Sequence, residues 1–183
     1  AGTVPLHLRQ DALVTASECI VKLEKIAKAY ANTVVTVGEI SIKPGASNVI
    51  PGHAKFTVDL RSSENSVRKK VEKELEQALQ EICTNRKAKL ITTKTHSAES
   101  TKCSNNVIKQ LENAFIKSGY PTYFLPSGAG HDTAAMSDLT EAGMIFLRCR
   151  EGISHNPAES VKTEDIEAGF QIMLKFIENF TPL

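Results

Sequence analysis

The chain of 183 residues contains no tryptophan, and its phenylalanines and tyrosines amount to only 5% of the sequence. That leaves little from which to build a platform for stacking nucleic-acid bases. A charge excess is lacking too: 22 Lys and Arg stand against 21 Asp and Glu, a formal net charge of +1. A balance this even gives no electrostatic reason to bind nucleic acid or an anionic membrane surface. No apolar run approaches the roughly eighteen residues that cross a bilayer, and no charged-then-apolar stretch opens the sequence. Neither nucleic acid nor membrane is therefore expected as a partner.

Cysteine is present but unpatterned. Cys19, Cys83, Cys103 and Cys149 include no Cys-x-x-Cys pair, and their spacing suits neither a zinc site nor a compact disulfide framework. Reduced thiols in a cytoplasmic protein are the expectation. The opening Ala1-Gly2-Thr3-Val4-Pro5-Leu6 has no initiator Met and reads as a cut end. What is abundant is ordinary: 41% hydrophobic and 23% charged residues, the composition of a globular protein with a core. The length fits one ordinary domain or two small ones.

Periodicity organises the first half. From about Arg9 to Tyr30, Leu13, Ala16, Ile20, Leu23 and Ala27 recur at helical spacing, with Asp11 placed to cap the helix or sit in its first turn. Val34 to Ile42 is rich in β-branched residues and reads as a strand, followed by a Pro44-Gly45 turn. Lys55 to Leu60 alternates, with Phe56, Val58 and Leu60 on one face, and is placed to pair with it as an antiparallel hairpin. Ser63 is a candidate cap for a helix whose stripe is Val67, Val71, Leu75, Leu79 and Ile82, and a further strand is expected over Lys89 to Thr95. Helices on one face of an antiparallel sheet make a small α+β layer.

After the polar stretch His96 to Ser100 the composition changes. A helix is expected over Asn105 to Lys117, stopped by Gly119 with Pro121 beyond. Tyr123-Phe124-Leu125 and Met144-Ile145-Phe146-Leu147 read as strands, the second covered on both faces. The last helix starts near Thr163, with Glu164 and Asp165 favourable at its N-terminus and Phe170, Met173, Leu174 and Ile177 on its buried side. Helix, strand, strand, helix suits the last part of an α/β sheet domain.

Two polar clusters follow the expected strands: Ser127-Gly128-Ala129-Gly130-His131-Asp132, and Gly152-Ile153-Ser154-His155-Asn156-Pro157 with Glu159 just after. Sites in α/β sheets lie in the loops beyond the carboxyl ends of strands. A histidine followed by Asp can be oriented by it or by a neighbouring carboxylate, as carboxylates orient metal-binding histidines. The blander alternatives are a hydrogen-bonded loop histidine at position 131 and a turn residue at 155. Neither makes a metal site alone, since catalytic zinc usually takes three protein ligands.

A resemblance extends this reading. Ala1 to Leu6 with Arg9 and Asp11, Pro44-Gly45 with Asn48-Val49-Ile50-Pro51-Gly52, Asp59-Leu60-Arg61, Pro126 to Asp132 and Gly152 to Glu159 match one family in order and spacing. The chain resembles the hydantoinase/carbamoylase branch of the metal-dependent aminoacylase and carboxypeptidase superfamily, which includes allantoate amidohydrolase, N-carbamoyl-L-amino acid hydrolase and a β-ureidopropionase. The resemblance covers the C-terminal half of such proteins.

Implied by it is a ferredoxin-like lid, or dimerisation, domain over residues 1–98, followed by the C-terminal part of an α/β metallopeptidase-like catalytic domain over 99–183. Asn48 and Arg61 match positions that bind the substrate carboxylate, a task suited to the planar guanidinium fork; read without the family, Arg61 is a surface ion pair at a strand end. His131 matches a substrate contact, Asp132 its support, and His155 the last metal ligand. The other ligands and the glutamate base would lie upstream, in His-x-Asp and Glu-Glu motifs, so no catalytic residue falls in this chain. The implied enzyme hydrolyses a carbamoyl (ureido) C–N bond with two divalent metals per site, zinc or manganese, although cobalt and nickel accept the same donors. It would act on a ureido or carbamoyl substrate with a carboxylate and form a homodimer through the lid. Arg148-Cys149-Arg150 is similar to some allantoate-type members, and both allantoate and N-carbamoyl-L-amino acids stay open as substrates. The chain alone would be inactive, with a non-catalytic dimerisation or binding module as the alternative.

Overall fold

The computed structural model describes residues 2–182 and divides into compact units Ala1–Ser100 and Thr101–Leu183, each described by itself. Ala1, first residue of the opening motif, lies outside the described residues.

In the first unit, α1 spans Ala12–Ala27 and α2 spans Asn65–Asn85. Asp11 caps α1, its carboxylate accepting from the backbone N–H groups of Leu13 (3.0 Å) and Val14 (3.1 Å). This satisfies two of the donors that a helix start leaves without an intrahelical partner. Ser63 does not cap α2. The capping position is Glu64, with no side-chain bond, and Ser62 Oγ accepts from the Glu64 amide instead.

The two helices meet through Cys19, Leu23 and Ile26 of α1 and Val71, Leu75, Leu79 and Ile82 of α2, with Leu23 and Val71 fully buried. Tyr30 Oη donates to Glu74 (2.6 Å) and Arg86 pairs with Glu18, so each end of the helix pair is also tied by polar contacts.

The expected strand over Val34 to Ile42 is two strands, β1 at Thr33–Thr36 and β2 at Ile40–Lys43. They face β4 at Asp59–Ser62 and β3 at His53–Phe56, respectively. The pairs run from Thr33↔Ser62 to Thr36↔Asp59, then from Ile40↔Phe56 to Lys43↔His53. Val37, Gly38 and Glu39 thus stand opposite only Thr57 and Val58, an extra residue that breaks the ladder as a bulge does. Thr57 supplies the repair: its N–H donates to Glu39 O, and its hydroxyl accepts from the Glu39 amide, both at 3.1 Å. Val58, expected on the buried face, falls in this break and is 40% exposed, while Phe56 and Leu60 pack on the core.

Lys89 to Thr95 forms no strand among the described residues, because no neighbouring backbone pairs with it. Leu90 still packs on the core while Ile91 is exposed, and Lys94 pairs with Glu72 of α2 at 2.5 Å.

In the second unit, α3 spans Asn105–Lys117, with Ser104 Oγ accepting from the Val107 amide and Gly119 at positive φ just past its end. A short α4 covers Asp132–Met136 and α5 covers Thr163–Asn179. Tyr123–Leu125 and Met144–Leu147 form no strands among the described residues; the one bridge described in this unit pairs Cys149 with Val161. Both runs were expected as strands on apolarity alone, and apolarity does not provide a partner backbone. The same is true of α5. Its buried residue is Ile172, whereas Phe170 is 69% and Ile177 64% exposed, with Met173 and Leu174 also exposed. Gly143 and Gly169 allow close packing, since a Cβ on them would lie 2.6 Å from Val107 Cγ1 and 2.5 Å from Leu147 Cδ2.

Among the described residues no helix is long and apolar enough to cross a membrane. All four cysteines are free, Cys19 and Cys83 being buried.

Candidate functional site

Asn48 lies on the loop joining β2 to β3, and the backbone fixes that loop at several points. Gly52 N–H donates to Lys43 O (3.1 Å), closing its base, and Ala12 N–H at the start of α1 donates to Pro51 O (2.9 Å). At the tip, Val49 N–H turns back to Ala46 O (3.3 Å), and Gly2 N–H donates to the carbonyl of Asn48 itself (2.8 Å). The exposed Asn48 side chain makes no hydrogen bond among the described residues and is carried by this held backbone.

Arg61 is on β4, two residues from Asp59 and so on the same side of the strand. Its Nε donates to both carboxylate oxygens of Asp59 (3.2 and 3.0 Å) and its Nη2 to Oδ2 (2.7 Å). The hydrogen bonds and charge of Arg61 hold the Asp59 carboxyl below its usual range and raise the guanidinium's own value. Both side chains are about half exposed, 51% and 52%. The surface ion pair read without the family is thus present, and it gives the guanidinium a defined plane.

In the second unit, Ser127 to His131 turns the chain into α4. His131 holds the capping position in an extended conformation (φ −135°, ψ 156°), and its carbonyl accepts from Ala134 N–H at 2.9 Å. Its Nε2 lies 2.7 Å from Ser127 Oγ, and Ser127 Oγ accepts from Ala129 N–H at 3.2 Å. The edge of the imidazole meets the Phe146 ring at 6.5 Å between centroids and 77° between planes. Asp132, expected to support His131, makes no hydrogen bond to it among the described residues. Successive residues at a helix start point to different sides, so adjacency in sequence does not bring the carboxylate to its neighbour's ring. Ser127, four residues back, holds the ring instead. Only the closeness of a hydroxyl within the glycine-rich stretch could have hinted at it.

His155 has a left-handed backbone, φ +57°, a conformation histidine enters more readily than most side chains. Glu159 braces it: Oε2 accepts from the His155 amide (2.9 Å), and Oε1 lies 3.9 Å from Cys149 Sγ. Asn156 Oδ1 caps the same turn on Ala158 N–H (2.9 Å), and Arg150 N–H to Ser160 O (2.8 Å) closes the loop. Arg148 is engaged by Asp165 in the first turn of α5, which raises its value.

The site residues therefore do not converge: in the first unit Asn48 sits on the loop beyond the Lys43↔His53 pair while Arg61 lies opposite Val34 at the other end of the ribbon, and in the second His131 is joined to Ser127 and His155 to Glu159. Among the described residues no three His, Cys, Asp or Glu side chains converge as a metal site requires. The donors present do not hold a metal by themselves; His155 offers one imidazole.

The sequence profile of peptidase family M20/M25/M40 matches residues 14–179. Allantoate deiminase 1 of Glycine max is 39% identical over 210 residues, covering 99% of this chain and 43% of that protein. An N-carbamoyl-L-amino-acid amidohydrolase of Pseudomonas sp. (strain NS671) is 38% identical over 179 residues, covering 97% of this chain and 43% of its own. A hydantoinase/carbamoylase family amidase from Burkholderia multivorans superposes with a TM-score of 0.92 at 30% identity, over 97% of this chain and 43% of that one. The chain thus spans about 43% of the length of these curated relatives.

Proposed function

The chain belongs to peptidase family M20/M25/M40, and from that premise we propose that it is part of a metal-dependent amidohydrolase acting on the carbamoyl (ureido) C–N bond of an N-carbamoyl-L-amino acid or allantoate. Water adds its hydroxyl to the ureido carbon, the bond to the substrate nitrogen breaks, and that nitrogen takes the proton. The carbamate released separates into ammonia and carbon dioxide. The observation that carries the reading is similarity along nearly the whole chain to proteins named for such substrates.

In this reading Asn48 and Arg61 anchor the substrate carboxylate, the guanidinium held in plane by Asp59. His131 contacts the substrate from a ring held by Ser127, with Asp132 supporting the loop as the first residue of α4. His155 supplies one ligand to a two-metal centre of zinc or manganese, whose other ligands come from outside these residues. The unit Ala1–Ser100 is the lid and dimerisation domain, a reading supported by two helices on one face of an antiparallel ribbon, the central part of a ferredoxin-like sandwich. The unit Thr101–Leu183 is the last part of the α/β catalytic domain. The protein is a cytoplasmic homodimer.

The 183 residues alone are inactive in this reading. A dimerisation or binding module is the second reading for them, favoured by the lack of converging metal ligands among the described residues. The test is ammonia release by the protein as the cell makes it, with N-carbamoyl-L-amino acids and allantoate and added Mn²⁺ or Zn²⁺. Release from one of them supports the enzyme. None from either, at full metal loading, would leave the binding module.

A further inference from the structure

Arg9 is a half-buried cation that spends its hydrogen bonds on backbone carbonyls. Its Nε donates to Val4 O at 2.7 Å and its Nη2 to Gly2 O at 2.6 Å, and it forms no ion pair among the described residues. Carbonyls satisfied by a guanidinium are held more firmly than by a neutral donor. The segment they belong to is brought back by a single turn of 3₁₀ helix at Leu6–Leu8, which closes on Arg9 itself through its N–H to Leu6 O (3.2 Å).

What this folded segment touches is the tip of the substrate-binding loop. Gly2 N–H donates to Asn48 O at 2.8 Å. The approach is close enough to demand glycine: a Cβ on Gly2 would stand 2.9 Å from the Asn48 carbonyl oxygen and 3.5 Å from its carbon. The base of the loop is fixed separately, through Pro51 O and Lys43 O. Among the described residues the tip is held by this bond and the weaker Val49-to-Ala46 turn.

We propose that Arg9 is a positioning residue for Asn48: it folds Gly2–Val4 into a brace that fixes the loop tip, and so places the Asn48 amide for the carboxylate of the substrate. The inference rests on the reading of Asn48 as a carboxylate-binding residue. It assigns a role to a cation and a glycine far from Asn48 in sequence, joined to it by two consecutive hydrogen bonds, Arg9 to Gly2 O and Gly2 N–H to Asn48 O. Arg9 acts through backbone that carries Asn48, so its removal weakens substrate binding without altering the reacting groups.

The experiment is steady-state kinetics on the full protein with its carboxylate-bearing ureido substrate, for Asn48→Ala, Arg9→Ala, Gly2→Ala and Arg9→Ala combined with each of the other two. Arg9→Ala and Gly2→Ala are each expected to raise KM roughly tenfold, about the effect of one lost charge-assisted hydrogen bond, with kcat little changed. Their combination should be no worse than either alone, because both break the same brace. Adding Arg9→Ala to Asn48→Ala should cost nothing further in KM, whereas a purely structural defect would add. Arg9→Lys, which reaches one carbonyl, should restore part of the affinity. If Arg9→Ala folds poorly, amide exchange at Val49 in Arg9→Lys and Gly2→Ala gives an independent readout: it should quicken while the α1 and α2 core stays protected. Raised KM in Asn48→Ala with unchanged KM and Val49 exchange in the Arg9 and Gly2 variants overturns the positioning role alone. Unchanged KM in Asn48→Ala removes the carboxylate reading and this inference together.

Discussion

Ser127 and His131 are joined at 2.7 Å, hydroxyl to Nε2, across a loop that otherwise consists of glycine and alanine. The Ala129 amide donates to the same hydroxyl, so Ser127 Oγ links two parts of the loop. His131 is thereby fixed from two sides, by a hydrogen bond at Nε2 and by the Phe146 ring. A side chain held this way enters a binding site without having to be ordered by its ligand, a saving of conformational entropy.

Ser127→Ala is expected to lower kcat/KM of the full enzyme by roughly tenfold, the loss of about one hydrogen bond's worth of preorganisation. Ser127→Thr retains the hydroxyl and should retain most of the activity. Steady-state kinetics on the two variants checks this, and equal losses in both would show that loop packing, not the hydroxyl, is what matters.

Arg61 and Asp59 make a pair whose two effects separate. Arg61→Ala should raise KM far more than it disturbs folding, because a half-exposed ion pair is screened and adds little stability. Asp59→Asn should also raise KM, by releasing the guanidinium's plane. The pH dependence has a definite sign. The folded-state value of Asp59 is lowered from 3.8, so its small stabilising contribution is complete above that pH and is lost as pH falls through the lower folded value. Denaturant midpoints of wild type and Asp59→Asn should differ at pH 6 and converge in acid. A gap that widens in acid would contradict the pairing.

The first-unit core should tolerate little loss of volume. Leu23 and Val71 are fully buried against one another's helices, and Leu23→Ala should cost about 2–5 kcal/mol by denaturant unfolding. Cys19 lies in the same core. Burial first, and neighbouring Cys83 next, push its thiol up to about 12, so it carries almost no thiolate at neutral pH. Native protein treated with a thiol reagent at pH 8 should label Cys103 and Cys149, both partly exposed, well before Cys19 and Cys83. Early labelling of Cys19 would mean that α1 and α2 separate readily.

How much of this was readable in the residues follows from what each signal contains. Asn105 to Lys117 was delimited correctly because Gly119 marks its end and the apolar spacing its body. The hairpin was readable from alternation, but the extra residue at Val37 to Glu39 was not, since a bulge leaves both flanking patterns intact. Lys89 to Thr95, Tyr123 to Leu125 and Met144 to Leu147 looked like strands, yet a strand is a relation between two backbones and one segment carries only half of it. For the candidate site residues, the local setting was legible where the motif was compact, as in the glycine-rich loop. It was not where the partner was set by folding: Ser127 rather than Asp132 for His131, and Arg9 with Gly2 for Asn48.

Helical spacing likewise identifies the apolar face of α5 without saying what covers it. Phe170, Met173, Leu174 and Ile177 are exposed, as is Tyr123 at 79%. Exposed apolar surface of this kind marks an interaction site or an aggregation hazard. The 183-residue polypeptide in isolation should therefore enhance the fluorescence of a hydrophobic dye, and Phe170→Asp should reduce that signal while far-ultraviolet circular dichroism stays unchanged. Dye binding indifferent to Phe170 would place the exposed surface elsewhere.

His155 and Glu159 give the sharpest test of the metal assignment. Glu159 holds the His155 amide in a left-handed turn, and the imidazole of a ligand must be presented at a fixed angle to bind. His155→Ala in the full enzyme should lower metal content after dialysis, read by elemental analysis, along with activity. Glu159→Gln keeps an oxygen that can accept from the amide but loses the charge that strengthens the bond. It should reduce metal affinity less than His155→Ala does, by about ten- to a hundredfold at most, the usual penalty for disturbing a ligand's support. Full metal occupancy in His155→Ala would remove His155 from the ligand set and leave its left-handed turn as loop structure alone.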